Sequence, residues 1–143
     1  MPTVGSAPVL RLARSAHLAL VGHLLDGMPD EACGLLAGPP GSADATRFYA
    51  TGNAAASSRV YTVDPRDHLR ADRDAEDRGL EILGVVHSHT HTEAYPSPTD
   101  VSQAPDPMWH YVIVSFRTGV ASLRSYRIVD ATIEEEPVAV VDG

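Results

Sequence analysis

The chain has 143 residues, 43% of them hydrophobic, and a formal net charge of -8. That is enough for one domain with a substantial core and too short for two, and the charge has the wrong sign for a surface that tracks nucleic-acid phosphates. Its single cysteine excludes an internal disulfide, no apolar run reaches membrane-spanning length and the first residues lack a signal-peptide profile, so a soluble, cytoplasmic protein that binds neither membrane nor nucleic acid is expected.

Val9 to Leu12 reads as a short first strand. From about Arg14 to Leu25 the apolar positions (Ala16 or His17, Leu20, Val21, Leu24) recur at helical spacing. Gly27 is placed as the C′ residue and Pro29 as the stop. His17 and His23 lack partner residues and are taken as ordinary helix histidines. Glu31 opens a second strand, Ala32 to Ala37, closed by the turn cluster Gly38-Pro39-Pro40-Gly41. Cys33 in that strand, two residues from Glu31, is expected to be a small core residue, since a nucleophile needs an activating base and none is assigned to it. Thr46 to Ala50 reads as a strand, Gly52 to Ser58 as a loop of small residues and Val60 to Val63 as a further strand. Asp64-Pro65 caps a charged helix running to about Arg78, with Leu69 and Ala75 among its few apolar positions and Gly79 ending it.

The apolar run from Ile82 to Val86 predicts a buried strand that ends in His87-Ser88-His89. Alternate strand residues share a face, so the two imidazoles point to the same side. In Pro96-Ser97-Pro98-Thr99-Asp100, Ser97 is an N-cap and Pro98 the first helical residue, which puts Asp100 in the first turn. Two imidazoles and one carboxylate, with a fourth position left for water, match catalytic rather than structural zinc. Each piece also has a plain reading: an HxH pair at a strand end can simply face solvent, and Ser-x-x-Asp is close to a capping box. Glu31 can be an edge charge, or a general base for water activated by the metal. His91 is assigned to the loop or a substrate rim, because a fourth protein ligand would close the site. Pro105 and Pro107 stop the short helix. Beyond it, Trp109 to Phe116 and Val120 to Ile128 form strands joined through Arg117-Thr118-Gly119, and Asp130-Ala131-Thr132 turns into a segment from Glu134 to Val141. Trp109, Tyr111 and Tyr126 are read as packing aromatics.

His-Ser-His, seven residues from Thr90 to Pro96, then Ser-x-x-Asp, with Glu31 upstream in Pro29-Asp30-Glu31-Ala32-Cys33-Gly34-Leu35-Leu36, resembles the JAMM motif of the MPN+ metalloproteases. Thr90 is a departure, since many relatives carry proline after the second histidine. The resemblance implies an α/β (α+β) fold: a single MPN domain over residues 1–143 (core about 9–141), with a curved mixed sheet flanked by helices and similar to cytidine deaminases. Deaminase chemistry does not follow, because one cysteine cannot supply a Pro-Cys-x-x-Cys zinc site. Carried over position by position, His87, His89 and Asp100 would bind Zn²⁺, Glu31 would act as base and then acid, and Ser97 would donate a hydrogen bond to the oxyanion.

The segments Pro29 to Gly34, Thr92 to Ser97, Ser125 to Asp130 and Glu135 to Val138 look like those of small bacterial members that act on sulfur-carrier proteins. The resemblance implies a ubiquitin-like, β-grasp carrier ending in Gly-Gly as partner, with hydrolysis of the amide after the diglycine releasing cysteine in cysteine biosynthesis. Other readings stay open: trimming a different C-terminal extension from a sulfur carrier, a non-catalytic MPN scaffold, or metal binding without hydrolysis.

Overall fold

The computed structural model describes residues 9–55 and 61–143. Among these residues twelve elements follow in order: β1 (Leu10–Ala13), α1 (Arg14–Asp26), β2 (Cys33–Gly38), β3 (Asp44–Ala45), β4 (Arg47–Thr51), α2 (Pro65–Asp77), β5 (Glu81–His89), α3 (Pro98–Ser102), β6 (His110–Ser115), β7 (Ser122–Val129), β8 (Thr132–Glu136) and β9 (Val138–Val141). The strands make two sheets rather than one: six strands in the order β4-β2-β5-β6-β7-β8, and three in the order β3-β1-β9.

The central strands β2, β5 and β6 are apolar on both sides because both faces of the six-stranded sheet are covered. Leu36, Val86, Val112 and Val114 pack with Leu20 and Leu24 of α1 and with Leu10 and Leu12 of β1. Leu35, Val85, Tyr111 and Ile113 pack on the other side with Ala71 of α2, Ala94 and Tyr126. A bulge in β5, where Leu36 pairs with Gly84 but Ala37 with Ile82, leaves Leu83 as the extra residue. Beyond it the alternation carries His87 and His89 to the α2 side and Ser88 to the α1 side.

Within the large sheet β5 and β6 pair in parallel and every other neighbour is antiparallel. A parallel pair cannot be closed by a hairpin, so the chain must leave the end of β5 and travel back over one face to begin β6. That crossover contains α3, and this is what brings Asp100 across the ends of the two histidines.

Several sequence expectations need correction. Gly27 is not a left-handed C′ residue: it is the C-cap at φ -79°, ψ -17°. Its glycine identity answers to packing, since a Cβ there would lie 2.6 Å from the Ala32 Cβ. The strand expected from Val60 to Val63 is reduced to one bridge, Asn53 to Val63; Val60 and part of the Gly52–Ser58 loop fall outside the described residues. The segment from Glu134 to Val141 is broken at Pro137, so β8 closes the large sheet while β9 crosses to pair in parallel with β1. By contrast Asp64 caps α2 through the Arg66 and Asp67 amides, and Gly79, just past the helix, has φ +71°, as a helix-terminating glycine requires. No helix among the described residues is long and apolar enough to cross a membrane.

Candidate metal centre

Three atoms converge at the end of β5. His87 Nε2 and His89 Nε2 lie 3.1 Å apart, and the Asp100 Oδ2 is 3.2 Å from the first and 3.1 Å from the second. Both histidines are buried, at 2% and 3% exposure. A tetrahedral metal with ligand bonds of about 2.0–2.1 Å has ligand atoms about 3.3–3.4 Å apart, close to this triangle.

The chemistry of the donors fits a cation. His89 Nδ1 donates to the Glu93 carbonyl at 2.8 Å, which leaves its Nε2 lone pair facing a carboxylate oxygen and a second imidazole nitrogen. Lone pairs this close repel unless a proton or a metal ion lies among them. A carbonyl behind a metal-facing histidine is also the usual device for fixing its tautomer. His87 is held differently: its ring stacks on Tyr61 with centroids 4.1 Å apart and planes 17° from parallel, while its Nδ1 is buried without a partner among the described residues.

Asp100 is fixed before any ligand arrives. The Ser97 amide donates to Asp100 Oδ2 at 2.9 Å and the Asp100 amide donates to Ser97 Oγ at 3.1 Å, a full capping box. Burial alone would raise the Asp100 carboxyl, but hydrogen bonds with His87 and His89 outweigh it and hold the group well below the usual carboxylate range. Burial lowers the His87 pKa. It opposes protonation of His89 too, yet Asp100 and the Glu93 carbonyl win there and the pKa rises.

Glu31 stands beside this triangle. One of its carboxylate oxygens and one nitrogen from each histidine all lie within 4.8 Å of one another. The side chain is 5% exposed, and its Oε1 is buried without a hydrogen-bond partner among the described residues. Burial pushes the carboxyl up to about 7, with the charge of His89 pulling down and that of Asp100 pushing up. Glu31 precedes β2, whose Cys33 pairs with His87 across the ladder. Two further groups hold the backbone there: the Ala32 amide donates to Ser88 Oγ at 2.9 Å, and Asn53 Nδ2 donates to the Glu31 carbonyl at 2.7 Å. The serine of His-Ser-His thus points away from the histidines and clamps the residue next to Glu31.

All five residues singled out in the sequence, Glu31, His87, His89, Ser97 and Asp100, therefore come together. His91 is exposed in the following loop, outside the cluster. Cys33 is fully buried against Thr51, and burial raises its thiol to about 11, which leaves it an inert core residue. His23 is a fastener, its Nε2 reaching the Cys33 and Thr51 carbonyls at 2.9 and 3.1 Å. Sequence reasoning missed the roles of Ser88, Asn53, Tyr61 and the Glu93 carbonyl. Only Ser88 carried a signal, since a polar residue between two ligands on a buried strand must face the opposite side.

The family profile for prokaryotic homologs of the JAB domain matches residues 13–129, the stretch that carries all of these groups. The chain belongs to that family. Among prokaryotic JAB-domain proteins it is 45% identical over 139 residues to the CysO-cysteine peptidase of Mycobacterium tuberculosis, covering 96% of this chain and 95% of the relative. It is 33% identical over 111 residues to the desampylase of Haloferax volcanii, covering 74% and 80%. The solution structure of a protein from Desulfitobacterium hafniense superposes with a TM-score of 0.84 at 31% identity, over 93% of each chain. The JAB-domain fold and the JAMM resemblance of the motif are both borne out.

Proposed function

We propose that the chain is a zinc-dependent peptidase that hydrolyses the amide bond after the C-terminal diglycine of a ubiquitin-like, β-grasp sulfur-carrier protein, releasing cysteine in the cytoplasm. The observation that carries the reaction type is Glu31 Oε1, a buried acceptor with no partner among the described residues, beside three converging metal donors. The identity with the mycobacterial relative along nearly the whole chain supports the substrate.

His87, His89 and Asp100 would hold the zinc, with Asp100 preferred over Glu31 as the anionic ligand because it lies nearer both imidazoles and is already anchored by its cap. When bound, zinc supplies Lewis-acid polarisation of the scissile carbonyl and acidifies water toward a pKa of ~7. Glu31 Oε1 accepts a proton from the attacking water and returns it to the leaving amine. The Asp100 amide uses only a lone pair of Ser97 Oγ, so the hydroxyl proton remains available to the developing oxyanion. Capping and catalysis by Ser97 are therefore compatible.

Ser97→Ala should lower kcat by about 10²–10³-fold, the usual effect of losing one oxyanion donor, with a stability loss of only ~1 kcal/mol from the cap. Steady-state kinetics alongside a thermal melt separate the two, and unchanged kcat would reduce the hydroxyl to a cap. The reading as a whole is tested by incubating zinc-loaded protein with carrier–cysteine and carrier–dipeptide adducts, with and without chelator, and weighing the products. Loss of the cysteine mass, suppressed by chelator, is expected. Zinc-loaded protein that cleaves neither adduct would be a scaffold.

A further inference from the structure

Two cavities flank the histidine pair. The first, about 240 Å³, includes Tyr61, the ring stacked on His87, together with Leu35, Val63, Val85 and Trp109, and no arginine among the described residues lines it. The second, about 270 Å³, lies on the His89 side, lined by Glu93, Tyr95, Ser115, Arg117, Thr118 and Arg124 among others. Its wall is the structure that orients His89. The Glu93 carbonyl accepts from His89 Nδ1, Ser115 is the ladder partner of His89 across β5 and β6, and the Arg117 amide donates to Ser115 Oγ at 3.3 Å.

The cations in this second cavity differ in their commitments. Arg124 shares its charge with Glu135 at 3.2 Å. The Arg117 guanidinium makes no hydrogen bond or ion pair among the described residues. In a chain of net charge -8, an uncommitted arginine beside an amide-cleaving site is placed for an anion. The released part of a carrier–amino acid adduct bears its carboxylate two bonds from the scissile nitrogen, so that carboxylate must lie next to the cleavage site. The uncharged diglycine tail needs no cation, and the apolar cavity suits it.

We infer that the cavity between the Glu93–Tyr95 loop and the β6–β7 turn is the leaving-group subsite, where Arg117 binds the α-carboxylate of the amino acid to be released. This rests on the peptidase reading and narrows it: the enzyme acts on a single C-terminal amino acid rather than on an isopeptide-linked protein, which offers no carboxylate there. A guanidinium matches a carboxylate with two parallel hydrogen bonds.

The test uses the zinc-loaded full chain and a Gly-Gly-terminated sulfur carrier joined to cysteine or to cysteinamide, which differ only in that carboxylate. Wild type should favour the cysteine adduct by about 10–100-fold in kcat/KM, the range for one charge-assisted pair. Arg117→Gln should erase the preference by slowing the cysteine adduct alone, and Arg117→Lys should restore part of it. Equal rates on both adducts by wild type, or an Arg117→Gln variant that slows both alike, would overturn the subsite while leaving the peptidase standing. Failure of wild type to cleave either adduct would remove both readings.

Discussion

Glu31→Gln should lower kcat on the carrier adduct by about 10²–10⁴-fold, the span for loss of a general acid–base group, while the protein keeps its metal. The amide has nearly the shape of the carboxyl but cannot accept a proton at the buried Oε1, which has no partner among the described residues. Metal content by elemental analysis together with single-turnover cleavage would check this. A variant that lost its metal would instead make Glu31 a ligand, which its carboxylate, within 4.8 Å of both imidazole nitrogens, could reach.

The same substitution carries a second, opposite effect on stability. In the metal-free protein the Glu31 carboxyl titrates near 7 against 4.5 for the free group, so the folded state binds the proton more tightly than the unfolded chain. That contribution is fully present below pH 4.5 and is lost as pH rises through 7; above it the fold carries a buried carboxylate close to Asp100. The cost by pH 8 approaches ~3 kcal/mol. Glutamine avoids it, so metal-free Glu31→Gln should melt roughly 5–10 °C above wild type at pH 8, with the gap closing toward pH 5. An equal gap at both values would show that ionisation is not its cause. A bound cation favours the charged form and should shrink the difference.

Asp100→Asn is expected to weaken metal binding more than the ~10–100-fold typical of losing a group behind a ligand, and to abolish turnover at stoichiometric zinc. Asparagine retains a side-chain oxygen to accept from the Ser97 amide, so the start of α3 survives and only the negative charge between the imidazoles is removed. Competition against a chromophoric chelator gives the affinity, and circular dichroism checks the fold. Unchanged affinity would mean that Glu31, His87 and His89 form the ligand set by themselves. Set beside Ser97→Ala, this separates the two members of one capping box: the serine variant should keep its metal and turn over slowly, the aspartate variant should lose it.

What the sequence determined by itself is local. The shared side of His87 and His89 follows from the two-residue period of a strand, and the helix start at Ser97-Pro98 from the chemistry of an N-cap. Glu31 at the mouth of β2 was legible as a charge opening an apolar run. The motif spacing then marked these residues as one set. Whether they meet is another matter, because it depends on contacts between segments far apart in the chain. Only the parallel pairing of β5 with β6 sends the crossover back over the histidines and sets Asp100 within 3.2 Å of both. Only the β2–β5 ladder, with Ser88 clamping Ala32, brings Glu31 alongside. The transfer of β9 to the small sheet beside β1 was likewise invisible in composition, since an alternating strand looks the same whichever sheet receives it. Side-chain periodicity is written in neighbouring residues; strand partnership is decided by which faces bury each other, and that is a property of the whole packed core.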